Sequence, residues 1–261
     1  LSMQASRQIV EPGCDYAMPP DGAICYLQVL DDAHGIFSDS ETTLTLGVPD
    51  SEERLALEQA IMKMRPGEVD RINLSTADGT TEKSVSLKLK HFDGRHIFQM
   101  DVSEKWRLAK WHKDYGVTLC SDVTKLALAF RQFSLALKYI ISLALDVPKA
   151  QHDDEEMNLN RLRMLLYVNM SACQLKAKNY DAAVANATKG LAIDPANSKA
   201  LYRRGTALLY LQEFERSRED LLAARKLAPG NTMIEDSLKE LRIKMSQLDS
   251  KYSEAMKKMF G

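Results

Sequence analysis

Pro195 and Pro229 stand 34 residues apart, and the residues leading to each follow one pattern. In that register Ser171 falls on Gly205, Ala183 on Ser217, Gly190 on Ala224, and Asp194-Pro195 on Ala228-Pro229. Small residues recur where the two helices of a hairpin approach closely, and proline stops the second helix. A unit this short cannot bury its apolar face alone, so the copies must stack into a solenoid. Stacked helical hairpins present a concave surface suited to peptides. The first expectation is therefore a binding protein, not an enzyme.

The period and these positions resemble the tetratricopeptide repeat (TPR). Three repeats are expected, over about residues 106–150, 164–197 and 198–231, closed by a capping helix over 232–260. The first is divergent: Lys113-Asp114-Tyr115-Gly116 opens like the motif of the repeat's first helix, and Phe133 and Ala136 follow one residue late, which implies a small insertion. Asp153–Glu156 reads as a charged loop ahead of the second repeat, whose first helix is expected from Met164 to Lys176. A capping helix keeps the last apolar face of the stack out of water.

Composition excludes several functions. A net charge of −1 gives no case for nucleic acid or a membrane as the main partner. Between Asn158 and Asn231, however, 12 Lys and Arg stand against 6 Asp and Glu, a local excess of +6. An acidic ligand and an ordinary solvated helical face both fit that excess. Cys14, Cys25, Cys120 and Cys173 show no CxxC spacing and read as free thiols. His34, His91, His96, His112 and His152 form no ligand cluster, so neither a metal nor a cofactor is expected. No window approaches 18 consecutive apolar residues.

The first hundred residues change texture. Ala23–Val29, Thr43–Leu46, Val69–Ser75 and Ser84–His91 read as strands, with Asp78-Gly79 turning between the last two and Asp93-Gly94 following. One helix is expected from about Ser51 to Met64, ended by Arg65-Pro66-Gly67, with Glu52 and Glu53 suiting its first turn. The chain thus divides into an α+β unit over residues 9–102, an antiparallel sheet with one helix, and an all-α unit over 103–261.

Thr45-Leu46-Gly47, Glu53–Ile61, Met62–Glu68 and Ser86–Phe92 make the first unit similar to the FK506-binding proteins (FKBPs). In typical members Glu-Val-Ile-Pro-Gly introduces the helix and Lys-Met-x-x-Gly-Glu follows it. The second half matches well here and the first does not. Glu53-Arg54 replaces the Val-Ile that floors the proline pocket, and Leu57 stands where many active members place an indole. The long aromatic flap is reduced to about Thr76–Glu82. Rotamase catalysis desolvates an X-Pro amide in an apolar pocket. A charged floor cannot do this, so the resemblance implies a catalytically inert module. Phe37, beside Ser38-Asp39-Ser40, matches a family strand segment, and its simpler reading is an anchor for the sheet edge.

In TPR domains that read peptide tails, positions 2, 5, 6 and 9 of each first helix face the ligand. Here those positions carry Lys113, Asn169, Lys199 and Arg203, with Val117 where a polar residue is usual. Lys199 and Arg203 are i, i+4 and share a face. The set resembles the carboxylate clamp for the Glu-Glu-Val-Asp terminus of Hsp90 or Hsp70: Lys113 and Asn169 would hold the terminal carboxylate, and Lys199 and Arg203 the acidic side chains. Ordinary solvated residues at these positions are the plain alternative. The C-terminal Tyr252–Gly261, basic with Met256, Met259 and Phe260, resembles the calmodulin-type sequence of FKBP co-chaperones, although packing of the capping helix is expected to be its main role.

The resemblance covers Glu11–Phe92 and Ser103–Gly261, and is to the divergent, non-catalytic FKBP branch with TPR repeats. It implies an Hsp90 co-chaperone in the cytoplasm, with the nucleus as a second compartment, that links the chaperone to an unidentified client. Some members of that branch serve germline small-RNA (piRNA) loading. Two rival readings are an active peptidyl-prolyl isomerase and a TPR scaffold that never meets Hsp90. Direct nucleic-acid binding lacks the interleaved basic and aromatic residues it needs.

Overall fold

The computed structural model describes residues 3–14, 16–76, 82–146 and 153–260, and divides into two compact units, Leu1–Lys105 and Trp106–Gly261. In the first unit, β1 (Met3–Glu11), β2 (Ile24–Asp31), β3 (Glu41–Thr45), β4 (Val69–Thr76) and β5 (Glu82–Asp93) form one sheet among the described residues, in the order β1-β4-β5-β2-β3. Every neighbouring pair is antiparallel. Inward residues alternate along the central strands: Ile72 and Leu74 on β4, Val85, Leu87 and Leu89 on β5, all at most 1% exposed. They meet Ala56, Leu57, Ala60 and Ile61 of α1 (Glu52–Ile61) in one core.

A helix of ten residues is too short to persist in water alone. Burial of its apolar face, about 1.5–3 kcal/mol for each large side chain, holds it on the sheet. Its start follows the sequence, since the Ser51 side chain accepts from the Arg54 N–H at 3.2 Å.

The sheet begins earlier than residue 9, because β1 starts at Met3 and pairs along β4. Arg7, on the inner face of β1, bonds the Glu68 and Asp70 carboxylates and donates to the Lys63 carbonyl at 2.6 Å. The expected flap falls on the link between Thr76 and Glu82. Residues 77–81, with the Asp78-Gly79 turn, lie outside the described residues, and strand pairing reaches Ser75 and Glu82 on either side.

The second unit is helical: α2 (Val102–Leu119), α3 (Leu126–Asp146), α4 (Asp153–Lys176), α5 (Tyr180–Ile193), α6 (Ser198–Tyr210), α7 (Phe214–Leu227) and α8 (Thr232–Phe260). A short 3₁₀ turn, Val123–Lys125, supplies the insertion expected between the helices of the first hairpin. The Asp153–Glu156 stretch is not a loop but the first turn of α4, which starts eleven residues before Met164. Carboxylates at a helix N-terminus are favourable there.

The 34-residue period is visible in the backbone. Lys178 and Gln212, 34 residues apart, both take left-handed φ values, 60° and 63°. Each sits in the same helix-ending turn, with Asn179 N–H bonded to Gln174 O at 2.9 Å and Glu213 N–H to Leu208 O at 3.0 Å. The close helix approaches fall at the expected small residues. A Cβ on Gly116 would lie 2.7 Å from the Phe133 ring, and one on Gly205 would lie 2.9 Å from Leu221 Cγ.

By length and hydropathy alone, Val123–Leu145, which contains most of α3, could cross a membrane, and 56% of that window is buried in the fold. A helix covered by neighbours on both sides in a stack has this composition. The final turns of α8 depart from expectation, since residues 251–259 are exposed. They do not pack on the stack.

Candidate peptide-binding site

The first helices of the hairpins, α2, α4 and α6, carry the four sequence-predicted residues. Cys120, just after α2, lies with its Sγ 3.5 Å from the Cys173 Sγ of α4, and the Lys176 Nζ donates to the Cys120 carbonyl at 2.8 Å. These contacts fix α2 beside α4. Arg203 of α6 reaches back to α4, where its guanidinium donates to the Val168 carbonyl.

That bond ties α6 to α4 at Val168, the residue before Asn169. Asn169 and Arg203 are half-buried, whereas Lys199, one turn before Arg203, is exposed. Among the described residues Lys199 has no ion-pair partner. Burial pushes the Arg203 guanidinium below its ordinary pKa. An arginine remains charged under such a shift, and its charge has lost part of its water.

Lys113 is half-buried and pairs with Asp114 at 2.7 Å. It lines a small depression of about 160 Å³ with Trp106, Lys110, Asp114, Arg161, Leu162 and Leu165. Leu165 is one turn before Asn169 on α4, so this depression abuts the α4 stripe that carries Asn169. Val117, where a polar partner is usual, is 49% exposed.

Sequence reasoning passed over Cys173 and Lys176. Both share the face of Asn169 at i+4 and i+7, a spacing that could have found them. Arg204, by contrast, is structural: it holds Asp220 of α7 with two bonds of 2.7 Å.

In the first unit, Glu53 and Arg54, which the resemblance places at the floor of a proline pocket, both form ion pairs. Glu53 meets Lys83 of β5 at 2.6 Å. Arg54 lies 3.7 Å from Glu58, whose other oxygen accepts from Gly47 N–H at 2.9 Å. Leu57 is 1% exposed and belongs to the core. Phe37 packs against that core, with its N–H on Asp32 Oδ2 at 2.7 Å.

No protein-family model matches the chain. Mouse FK506-binding protein-like is 27% identical over 98% of this chain and 70% of its own length. Mouse peptidyl-prolyl cis-trans isomerase FKBP4 is 28% identical over 86% of this chain. The chain is thus similar to FK506-binding proteins. It spans only 51% of the FKBP4 length. The C-terminal TPR-containing domain of a Plasmodium falciparum FK506-binding protein superposes with a TM-score of 0.53 at 26% identity, over 59% of this chain and 99% of that domain. The proteins it resembles thus include a peptidyl-prolyl isomerase, and its second unit has the fold of a TPR stack.

Proposed function

We propose that this FKBP-TPR protein is a non-catalytic co-chaperone whose TPR unit grips the acidic C-terminal tail of Hsp90, in the cytoplasm, while its FKBP-like unit engages a client. The observation that carries the reading is the junction of α4 and α6, where Arg203 bonds the carbonyl of Val168, the residue before Asn169, and Lys199 is exposed one turn away. A chain-terminal aspartate presents two carboxylates within one residue. Charge-assisted hydrogen bonds to such groups contribute about 1.5–3 kcal/mol each. Four of them, less the cost of ordering the tail, support micromolar affinity, about −8 kcal/mol.

The inert half of the proposal rests on the Glu53–Lys83 and Arg54–Glu58 pairs. An X-Pro amide docked against them would keep polar neighbours, whereas rotation about that bond is accelerated by removing them. In a proline-isomerisation assay the protein should give the uncatalysed rate. Turnover near that of an active FKBP contradicts the reading. For the clamp, Lys199→Ala with Arg203→Ala should abolish retention on an immobilised Hsp90 C-terminal peptide, and persistent retention would exclude these residues.

A further inference from the structure

A groove lies between α7 and α8. Arg218, Leu222 and Arg225 fall at i, i+4 and i+7 on α7 and form one stripe. Leu238, Leu241, Arg242 and Met245 form the facing stripe on α8. Together they line a groove of about 520 Å³ with an apolar floor and three guanidinium groups. Arg225 lies 4.0 Å from Glu235, and Asp249 stands among the lining residues. Among the described residues no carboxylate is within ion-pair distance of Arg218 or Arg242, and both are exposed.

The repeat itself shows what belongs there. The positions 34 residues before Leu222 and Leu238 are Thr188 on α5 and Arg204 on α6. One repeat earlier, Arg204 is met by the next helix, α7. Arg204 holds the Asp220 carboxylate of α7 with two bonds and reaches Thr188 Oγ1 at 3.4 Å. At that earlier position Arg204 is thus met by a helix bearing a carboxylate among apolar residues, Asp220 beside the fully buried Leu221. Among the described residues no helix takes that place on α8.

We propose that the α7–α8 groove binds an acidic amphipathic helix of a partner protein, seated where the second helix of a fourth repeat would lie. Its apolar stripe meets Leu222, Leu241 and Met245, and its carboxylates meet Arg218, Arg225 and Arg242. This is the helix-in-groove mode of recognition, with anchors at i, i+3 or i+4, and i+7. Unlike a carboxylate clamp, the site needs no free chain terminus. It does not depend on the Hsp90 reading.

The test uses the full chain and a fluorescein-labelled peptide of about 14 residues, amidated at its C-terminus, with leucines at helical spacing flanked by glutamates. Polarisation should show saturable binding that weakens with salt. Arg218→Glu with Arg242→Glu should weaken it about tenfold or more, and Arg218→Gln with Arg242→Gln by a smaller factor, with unchanged far-UV dichroism. Lys199→Ala with Arg203→Ala should bind as wild type, which separates this site from the clamp. The proposal is overturned if the glutamate variant binds as wild type or if a lysine version of the peptide binds equally well. Failure of the peptide to bind overturns it too, including the case in which phosphatidylserine vesicles are captured instead.

Discussion

Arg7 faces inward from β1, between two carboxylates that the sheet has taken out of water. The Asp70 side chain is fully buried and that of Glu68 is 5% exposed. Burial, reinforced by the neighbouring Asp70, holds Glu68 above its ordinary pKa. A carboxyl raised on folding binds its proton more readily in the native state. Its contribution to stability is therefore largest in acid, and is lost as pH rises from the unfolded pKa through the native one. Arg7→Met removes the cation that offsets this loss. The variant should be destabilised by about 3 kcal/mol near neutrality. Its urea midpoint should also fall more steeply than that of wild type between mildly acidic and neutral pH. Parallel pH curves would show that Arg7 does not offset these carboxylates.

At the scale of elements, the paired turns at Lys178 and Gln212 and the close approach at Gly116 make opposite predictions. A non-glycine residue in the left-handed region gives up about 1 kcal/mol, part of which glycine returns through its freer unfolded chain. Gln212→Gly should therefore raise stability by about 0.5 kcal/mol. Gly116→Ala should lower it by about 1–3 kcal/mol, since the new methyl must displace the Phe133 ring. Thermal unfolding checks both, and an unchanged midpoint for Gly116→Ala would contradict the close packing.

These elements also show what could be read in the sequence. The hairpins were legible because Gly116, Gly205 and Ser217 mark contacts where only small side chains fit. The central strands were legible because Val85, Leu87 and Leu89 alternate strictly. Strand β1 was not, because its inner face carries Met3, Ala5 and then Arg7, and a charged residue breaks the alternation that signals a strand. The start of α4 was hidden for a related reason: four consecutive acidic residues look like a loop until they are seen as a helix N-terminus. Within the candidate site, spacing along one helix was legible. The bond from Arg203 to the Val168 carbonyl crosses between helices, and no local pattern encodes it.

As a whole molecule, the protein joins a sheet unit, with ion pairs at Glu53 and Arg54, to a basic TPR stack, and spans about half the length of FKBP4. Its function in this account lies in what the stack holds. The most direct measurement is a calorimetric titration with an Hsp90 tail peptide ending in Met-Glu-Glu-Val-Asp, once with a free C-terminus and once amidated. The account predicts micromolar binding of the free peptide and a loss of about tenfold or more on amidation, the effect of removing one charge-assisted contact. Equal affinity for the two peptides, or no binding of the free one, would contradict it.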